Sequence, residues 1–328
     1  MSAAALPLRR ALSRLLWVAA TLAAGGAAAF DLQGHRGARG LEPENTMAAF
    51  ERALAIGVTT LEMDAAVTAD GIVVVSHDPT LNPAITRDAQ GRWLPARGPL
   101  IKASTFAELQ AFDVGRIDPA SAYGHQFAAQ EARDGQRLPT LAAVFDRVKA
   151  LGAGSVRFDI ETKIFPNRPD DTLAPEPFVR ALLAVIRDAG MTRRVMIQSF
   201  DWRTLRLVQE LEPGMDTVYL TSRSDALESG TWTAGLRLKD FASIGHMVKA
   251  AGGSIWAPNF TSLTAEALKA AQGLGIKVIP WTVNDASDAE RLIGWGVDGI
   301  ISDHPDRIRG VMQRRGMPLP ARFPTARP

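Results

Sequence analysis

The 328-residue chain contains no cysteine. That absence excludes structural disulfides, a thiol nucleophile and a lipid-modified N-terminal cysteine, so stability must come from the core. It also removes the thiolates of soft-metal centres, and the five histidines form no closely spaced pair to replace them. A surplus of charge of one sign is lacking too. Arg9, Arg10 and Arg14 stand in an acid-free leader, and without them 34 basic residues face 35 acidic ones, a formal charge of −1. Nothing after the leader reads as a nucleic-acid footprint, so no nucleic-acid partner is expected. With 46% hydrophobic residues, one large domain can bury enough surface without covalent staples.

Residues 1–29 combine those arginines, an apolar stretch from Leu15 to Ala24, and Ala27-Ala28-Ala29 before Phe30. This is the pattern of a secretory signal peptide cleaved after Ala29. The apolar stretch is short for a membrane anchor, so no stable span is expected after processing. The residues around Arg9-Arg10 match the twin-arginine signal poorly, which favours Sec export to the periplasm or beyond the cell.

What the chain does have is concentrated in one stretch: Gly34-His35-Arg36-Gly37, Glu44-Asn45-Thr46, Glu62, Asp64 and His77-Asp78. Glu62 and Asp64 lie in the apolar run from Thr59 to Val67, and in a strand of period 2 they share one face. Two buried carboxylates side by side require a positive neighbour, and a hard divalent cation with oxygen ligands meets that need. Asp70-Gly71, between this run and Ile72 to Ser76, signals a hairpin. A two-residue loop at Asp70-Gly71 sets Asp64 opposite His77; one centred on Ala69-Asp70 sets Glu62 opposite His77. A three-residue loop reverses the face.

Further on, Asp159, Glu161 and Lys163 share a face by the same period. Glu62, Asp64 and Glu161 then form an oxygen triad for Ca²⁺ or Mg²⁺, between which the sequence does not choose. His35 and His77 flank it as candidates for proton transfer, without a decision on which is acid and which is base. Arg36 and Lys163 are the cations a phosphate would want. Ser199 lacks the glycines of a nucleophile elbow, and His125, His246 and His304 read as structural or surface residues.

Apolar runs alternate with helical patterns along the rest of the chain. Strands are predicted at Val156 to Glu161, Val195 to Ser199, Asp216 to Thr221, Ser254 to Pro258, Lys277 to Val283 and Gly299 to Ser302. Helices are predicted at Thr140 to Leu151, Pro177 to Ala189, Trp202 to Leu211, Phe241 to Ala251, Thr264 to Leu274, Ala286 to Trp295 and Pro305 to Arg314, after a first from about Glu44 to Gly57. The tight turn at Asp70-Gly71 makes Ile72 to Ser76 antiparallel, which leaves eight parallel strands. The fold class is α/β, a TIM (β/α)8 barrel with an extra antiparallel strand. Residues 30–315 make the barrel domain. Residues 79–137, rich in proline and glycine with one weak helical pattern near Thr105 to Phe112, are an insertion on the catalytic face, and a loop of this length reads as a lid or binding loop. Residues 316–328 read as a mobile tail.

The stretch from Gly34 to Asp78, with Asp159-Ile160-Glu161-Thr162-Lys163 and Trp281-Thr282-Val283-Asn284, resembles the glycerophosphodiester phosphodiesterase family over nearly all of the chain after residue 30. The resemblance implies the same barrel and metal-dependent hydrolysis of a small-molecule glycerophosphodiester to glycerol 3-phosphate and an alcohol. It further implies phosphate contacts from Arg36 and Lys163, a place for Glu44 near metal or phosphate, and Trp281 as an aromatic wall against glycerol. Capping of a helix by Asn45 or Thr46 explains that element equally well. The alternatives are a phospholipase D-like hydrolase of lysophospholipids, favoured by an extended apolar groove from the insertion, and an exported phosphodiester-binding protein that does not cleave.

Overall fold

The structure, a computed structural model, describes residue 1, residues 30–222 and residues 224–324. Beyond Met1, the predicted leader lies outside the described residues. Nine strands form one sheet: β1 (Asp31–Gly34), β2 (Thr60–Val67), β3 (Val73–Val75), β4 (Arg157–Thr162), β5 (Val195–Ser199), β6 (Asp216–Thr221), β7 (Ile255–Pro258), β8 (Lys277–Val278) and β9 (Gly299–Ser302). Their spatial order is β8-β7-β6-β5-β4-β2-β1-β9, all parallel, while β3 pairs antiparallel with β2 off this path. The N–H groups of Asp298, Ile301 and Val283 donate to Val278, Pro280 and Ile301, joining the last two strands into a nearly closed barrel. The barrel and its extra antiparallel strand are therefore as predicted.

Two predictions need correction. The strand expected from Lys277 to Val283 is regular only over β8, because Pro280 has no N–H to continue a ladder. The chain still runs on beside β7, with Ile279 and Trp281 donating to Trp256 and Pro258. The hairpin register also differs from both two-residue loops. Ala65, Ala66 and Val67 pair with Val75, Val74 and Val73, and Thr68 and Ile72 close a three-residue loop. Thr68 Oγ1 makes this loop favourable: it accepts from Ile72 N at 2.9 Å and lies 2.5 Å from Asp70 Oδ1. Asp64 consequently faces Ser76, whose N–H donates to the Asp64 carbonyl.

Helix ends follow local chemistry. α1 (Met47–Ile56) starts where Thr46 Oγ1 accepts from Ala49 N and stops at Gly57, whose φ of 90° suits a residue without a side chain. The insertion carries the short α2 (Phe106–Leu109) and α3 (Ala122–Gln126), the second unforeseen. Outside the barrel lie α4 (Leu141–Ala150), α5 (Pro175–Asp188), α6 (Trp202–Leu211), α7 (Ser224–Ser229), α8 (Ile244–Ala250), α9 (Ala265–Gly273), α10 (Ala286–Trp295) and α11 (Pro305–Arg314). Among the described residues no helix is long and apolar enough to cross a membrane.

The inside of the barrel is divided. Met196, Val218, Leu220, Ile255, Ala257, Ile279 and Ile301 fill one side with apolar bulk. On β1, β2 and β4 the period-2 face instead carries Asp31, Gln33, Thr60 and Asp159 beneath Glu62, Asp64 and Glu161, all buried. The insertion packs on the hairpin through its own apolar cluster, in which Leu81, Ile101, Leu109 and Val114 cover Ala66 and Val74. In the segment expected to be a mobile tail, the N–H of Phe323 donates to Leu54 and Arg309 Nη1 donates to the Pro320 carbonyl.

Candidate active site

The C-terminal end of the barrel is lined by acids from adjacent strands. Parallel pairing sets Glu62 beside Asp159 and Asp64 beside Glu161, so the alternation that turns Glu62 and Asp64 inward turns Glu161 inward too. One carboxylate oxygen from each of Glu62, Asp64 and Glu161 lies within 4.8 Å of the others. All three side chains are buried. Burial and the Asp64 charge push the Glu62 carboxyl well above its ordinary range, and burial raises Glu161 to about 7. Asp64 goes the other way: burial opposes its charge, but Lys163 and Arg36 together hold it well below the usual value. Its Oδ1 makes no regular hydrogen bond, although the Lys163 ammonium lies 3.3 Å away. Carboxylates clustered in a buried site, two of them resisting ionisation, are the environment that a hard divalent cation relieves.

The two histidines arrive by different routes. His35 directly follows β1, its N–H donating to the Ser302 carbonyl. Its Nδ1 lies 2.6 Å from Asp303 Oδ1, and its Nε2 is 3.9 Å from Glu62 Oε2. Asp303 itself accepts from Arg39 Nε at 2.8 Å and from Asn284 Nδ2 at 2.7 Å. Despite burial, His35 and Arg39 hold its carboxyl far below the usual range. An ionised carboxylate can only accept, so Nδ1 of His35 carries the proton and Nε2 presents its lone pair to the cleft. Burial first, then Arg39, lowers the His35 pKa to about 4 against the pull of Asp303.

His77 reaches the same cleft although the hairpin register turned out different. It lies past the end of β3, where the ladder no longer dictates which way a side chain points. Its Nδ1 is 3.0 Å from Asp78 Oδ1, and Asn82 steadies that carboxylate at 2.7 Å. Burial, Arg36 and Lys163 lower its pKa.

The cations are built into the acid cluster. Arg36 sits at a φ of 49°, a left-handed conformation that aims its N–H at Glu62 Oε2, 2.7 Å away. Its guanidinium donates to Glu44 at 2.7 Å and lies 3.2 Å from Asp64. Lys163 bridges Glu161 at 2.9 Å and Asp64 at 3.3 Å. Trp281, half-buried, donates from its indole to the Ala257 carbonyl and packs edge-on against Phe200. His35, Arg36, Glu62, His77, Glu161, Lys163 and Trp281 all line one cleft of about 240 Å³. Glu44 stands behind it on Arg36, and Asp64 beside it on Lys163 and Arg36.

Residues 35–307 match the glycerophosphoryl diester phosphodiesterase family. The chain belongs to that family. A glycerophosphodiester phosphodiesterase of Caldanaerobacter subterraneus subsp. tengcongensis is 29% identical over 86% of this chain and 97% of its own length. A solved structure from Silicibacter pomeroyi DSS-3, whose assignment to the same activity is provisional, is 35% identical with a TM-score of 0.80, covering 88% of this chain and 95% of that one. The fold is shared also by an Oleispira antarctica phosphodiesterase solved with its product sn-glycerol-3-phosphate, at 22% identity and a TM-score of 0.66 over 86% and 96% of the two chains. Membership makes this chain a phosphoric diester hydrolase.

Within this glycerophosphodiester phosphodiesterase, several groups in or behind the cleft escaped the sequence reading. Asn45, weighed as a helix cap, instead donates from Nδ2 to Asp64 Oδ2 at 2.8 Å, and Thr46 is the cap. Gln198 Nε2 donates to Glu62 Oε1 at 2.6 Å from the end of β5, a position the period-2 rule could have marked. Tyr123 of α3 donates to Glu44 and accepts from Arg39 Nη1 at 3.0 Å, while the Arg39 guanidinium stacks over Phe127. No local signal announces Tyr123, because its partners come from 79 and 84 positions away. Ser199 is buried, with its hydroxyl bonded to Thr162 and Asp201, away from the cleft.

Proposed function

We propose that the enzyme hydrolyses glycerophosphodiesters to glycerol 3-phosphate and an alcohol with a divalent cation on Glu62, Asp64 and Glu161 and with His35 and His77 moving the protons. The observation that carries this reading is the convergence of three carboxylate oxygens within 4.8 Å between two histidines, each oriented by its own aspartate. When bound, Ca²⁺ or Mg²⁺ supplies positive charge at a nonbridging phosphate oxygen. Lys163 and Arg36 keep Asp64 ionised for that task and add positive charge beside the phosphate. His35, neutral and with Nε2 free, accepts the proton of the attacking oxygen, whether water or the glycerol 2-hydroxyl. His77, the more exposed of the two rings, gives a proton to the departing alkoxide. Trp281 and Phe200 wall the apolar side of the glycerol.

The test is phosphodiesterase activity of the chain from Phe30 onward on glycerophosphocholine, with EDTA and then with Ca²⁺ or Mg²⁺ restored. Metal-restored release of glycerol 3-phosphate is expected. Activity undiminished in EDTA would remove the metal from the mechanism, and metal-loaded protein without cleavage would remove the reaction. Export is proposed on the leader alone, and N-terminal sequencing of the protein recovered outside the cytoplasm is expected to begin at Phe30.

A further inference from the structure

The insertion reaches the site from behind. Among the described residues that line the cleft, and the larger groove of about 730 Å³ beside it, none comes from 79–137. Residues 121–136 fasten instead onto the loop between β1 and α1. Gln130 Nε2 donates to the Arg39 carbonyl at 2.7 Å and the Glu131 N–H to the Leu41 carbonyl at 2.9 Å, while Arg133 forks onto both oxygens of Glu42 at 2.7 Å. The loop needs such a fastening. Arg36 and Asn45 stand at φ of 49° and 55°, a conformation that a residue with a side chain keeps only where its surroundings enforce it.

At the centre of this contact lies one hydroxyl. Tyr123 donates to Glu44 Oε2 and accepts from Arg39 Nη1 at 3.0 Å. Each of these partners leads to a different half of the site. Glu44 Oε1 accepts from Arg36 Nη1 at 2.7 Å, and Arg36 lies 3.2 Å from Asp64. Arg39 Nε and Nη2 fork onto Asp303 at 2.8 and 3.1 Å, and Asp303 holds His35. Burial opposes the Glu44 charge, but Arg36 and Arg39 hold its carboxyl below the usual range, so it accepts. Burial and that same charge push the Tyr123 phenol up, so it keeps its proton and donates. A hydroxyl donates and accepts at a single atom, as a carboxylate on one side and a guanidinium on the other require. The Phe127 ring, one turn further on, lies 4.7 Å from the Arg39 guanidinium and packs edge-on against Tyr123.

We propose that the Tyr123 hydroxyl is a positioning group for both halves of the reaction proposed above: through Glu44 and Arg36 it places Asp64 for the cation, and through Arg39 and Asp303 it places His35 for proton transfer. Tyr123 itself lines no wall of the cleft. Its loss therefore acts on placement and leaves substrate contacts in being.

The experiment is Tyr123→Phe, which removes the hydroxyl and keeps the ring. It is read by steady-state kinetics on glycerophosphocholine and by calorimetric titration with Ca²⁺ and with Mg²⁺. For the variant, kcat is expected to fall at least about tenfold with KM within about threefold, and Kd for the ion that binds wild type to rise at least about threefold. Arg133→Gln loosens the same contact away from Asp64 and His35; a lower Tm with kcat and Kd within about twofold of wild type is expected, which marks what lost stability alone does. Phe127→Leu weakens only the Arg39 side, so kcat is expected to fall at least about threefold with Kd unchanged. That variant decides the matter should Tyr123→Phe fold poorly, and an unchanged kcat in it would then overturn the proposal. Wild-type kcat and Kd in Tyr123→Phe would overturn it directly, as would a raised KM with kcat intact, which would make Tyr123 a substrate contact. Wild-type protein that binds the ion and cleaves nothing would remove the underlying reaction instead. Kd alone would then judge Tyr123, and an unchanged value would overturn its placement of Asp64.

Discussion

His35 shows how much a single side chain depends on what holds it. Its Nδ1 is tied to Asp303, and Asp303 is clamped by Arg39 and Asn284. Replacing His35 or His77 by alanine is expected to lower kcat at least about a hundredfold, as for loss of a proton-transfer group; steady-state kinetics on glycerophosphocholine would show it, and a variant with the wild-type rate would end that assignment. Asp303→Asn keeps the shape but lets the ring choose another tautomer, and a fall in kcat of at least about tenfold with a smaller change in KM is expected. The pH profile gives an independent check. Burial lowers the His35 pKa from 6.5 to about 4, so the ring stays neutral and able to accept a proton as pH falls past 6.5. The acid limb of kcat/KM due to this group therefore belongs below about pH 5, and a limb at the ordinary histidine value would contradict it.

At the scale of elements, the loop between β1 and α1 determines whether the site exists. Gly37 has a φ of 85°, and a Cβ there would lie 2.5 Å from the backbone of Ala49 in α1. Gly37→Ala must push the loop off the helix, which also withdraws the Arg36 N–H from Glu62. A destabilisation of at least about 2 kcal/mol is expected in urea unfolding, with activity lost in the folded fraction as well. Gly71 makes the contrast: it too has a positive φ, but open space surrounds its missing Cβ. The insertion contributes an element of the same kind, since α3 carries Tyr123 and thereby braces Glu44 behind the cleft and Arg39 in its wall.

The whole barrel carries a tension that follows from its divided interior. Asp159 is fully buried, and neither carboxylate oxygen has a hydrogen-bond partner; burial and the Asp31 charge push its pKa well up. A carboxyl raised in the folded state binds a proton that the unfolded chain has released. Its contribution to stability is therefore present at low pH and declines as pH rises above the unfolded value of about 3.9. Asp159→Asn removes that penalty, so thermal melts are expected to show a gain over wild type that is larger at pH 8 than at pH 5. Glu62 and Glu161 above, both raised, share that sensitivity, whereas Asp64, held low by Lys163 and Arg36, has the opposite one. Ca²⁺ or Mg²⁺ at about a hundred times Kd is expected to stabilise the fold by about 2.7 kcal/mol, raising Tm by several degrees, and no shift with either ion would argue against a site on these three acids.

How much of this was legible in advance follows from the range of each interaction. Strand period alone placed Glu62 with Asp64 on one face of their strand and Glu161 with Asp159 on one face of theirs, and cap and turn residues placed α1, α6, α10 and α11 close to where they lie, because dihedral preferences and side-chain alternation act over a few residues. The eight-stranded barrel followed from the same local alternation of strands and helices. The hairpin register did not, since a threonine hydroxyl at the loop outweighed the Asp-Gly signal. Nor did the pairing of His35 with Asp303, 268 positions away, or the support of Glu44 by Tyr123. Those contacts are made only when β1 pairs with β9 and the insertion folds back on the barrel rim. Sequence determined which residues share a face. Closure of the barrel decided which faces meet, because contacts between distant segments leave no periodic trace in the chain that makes them.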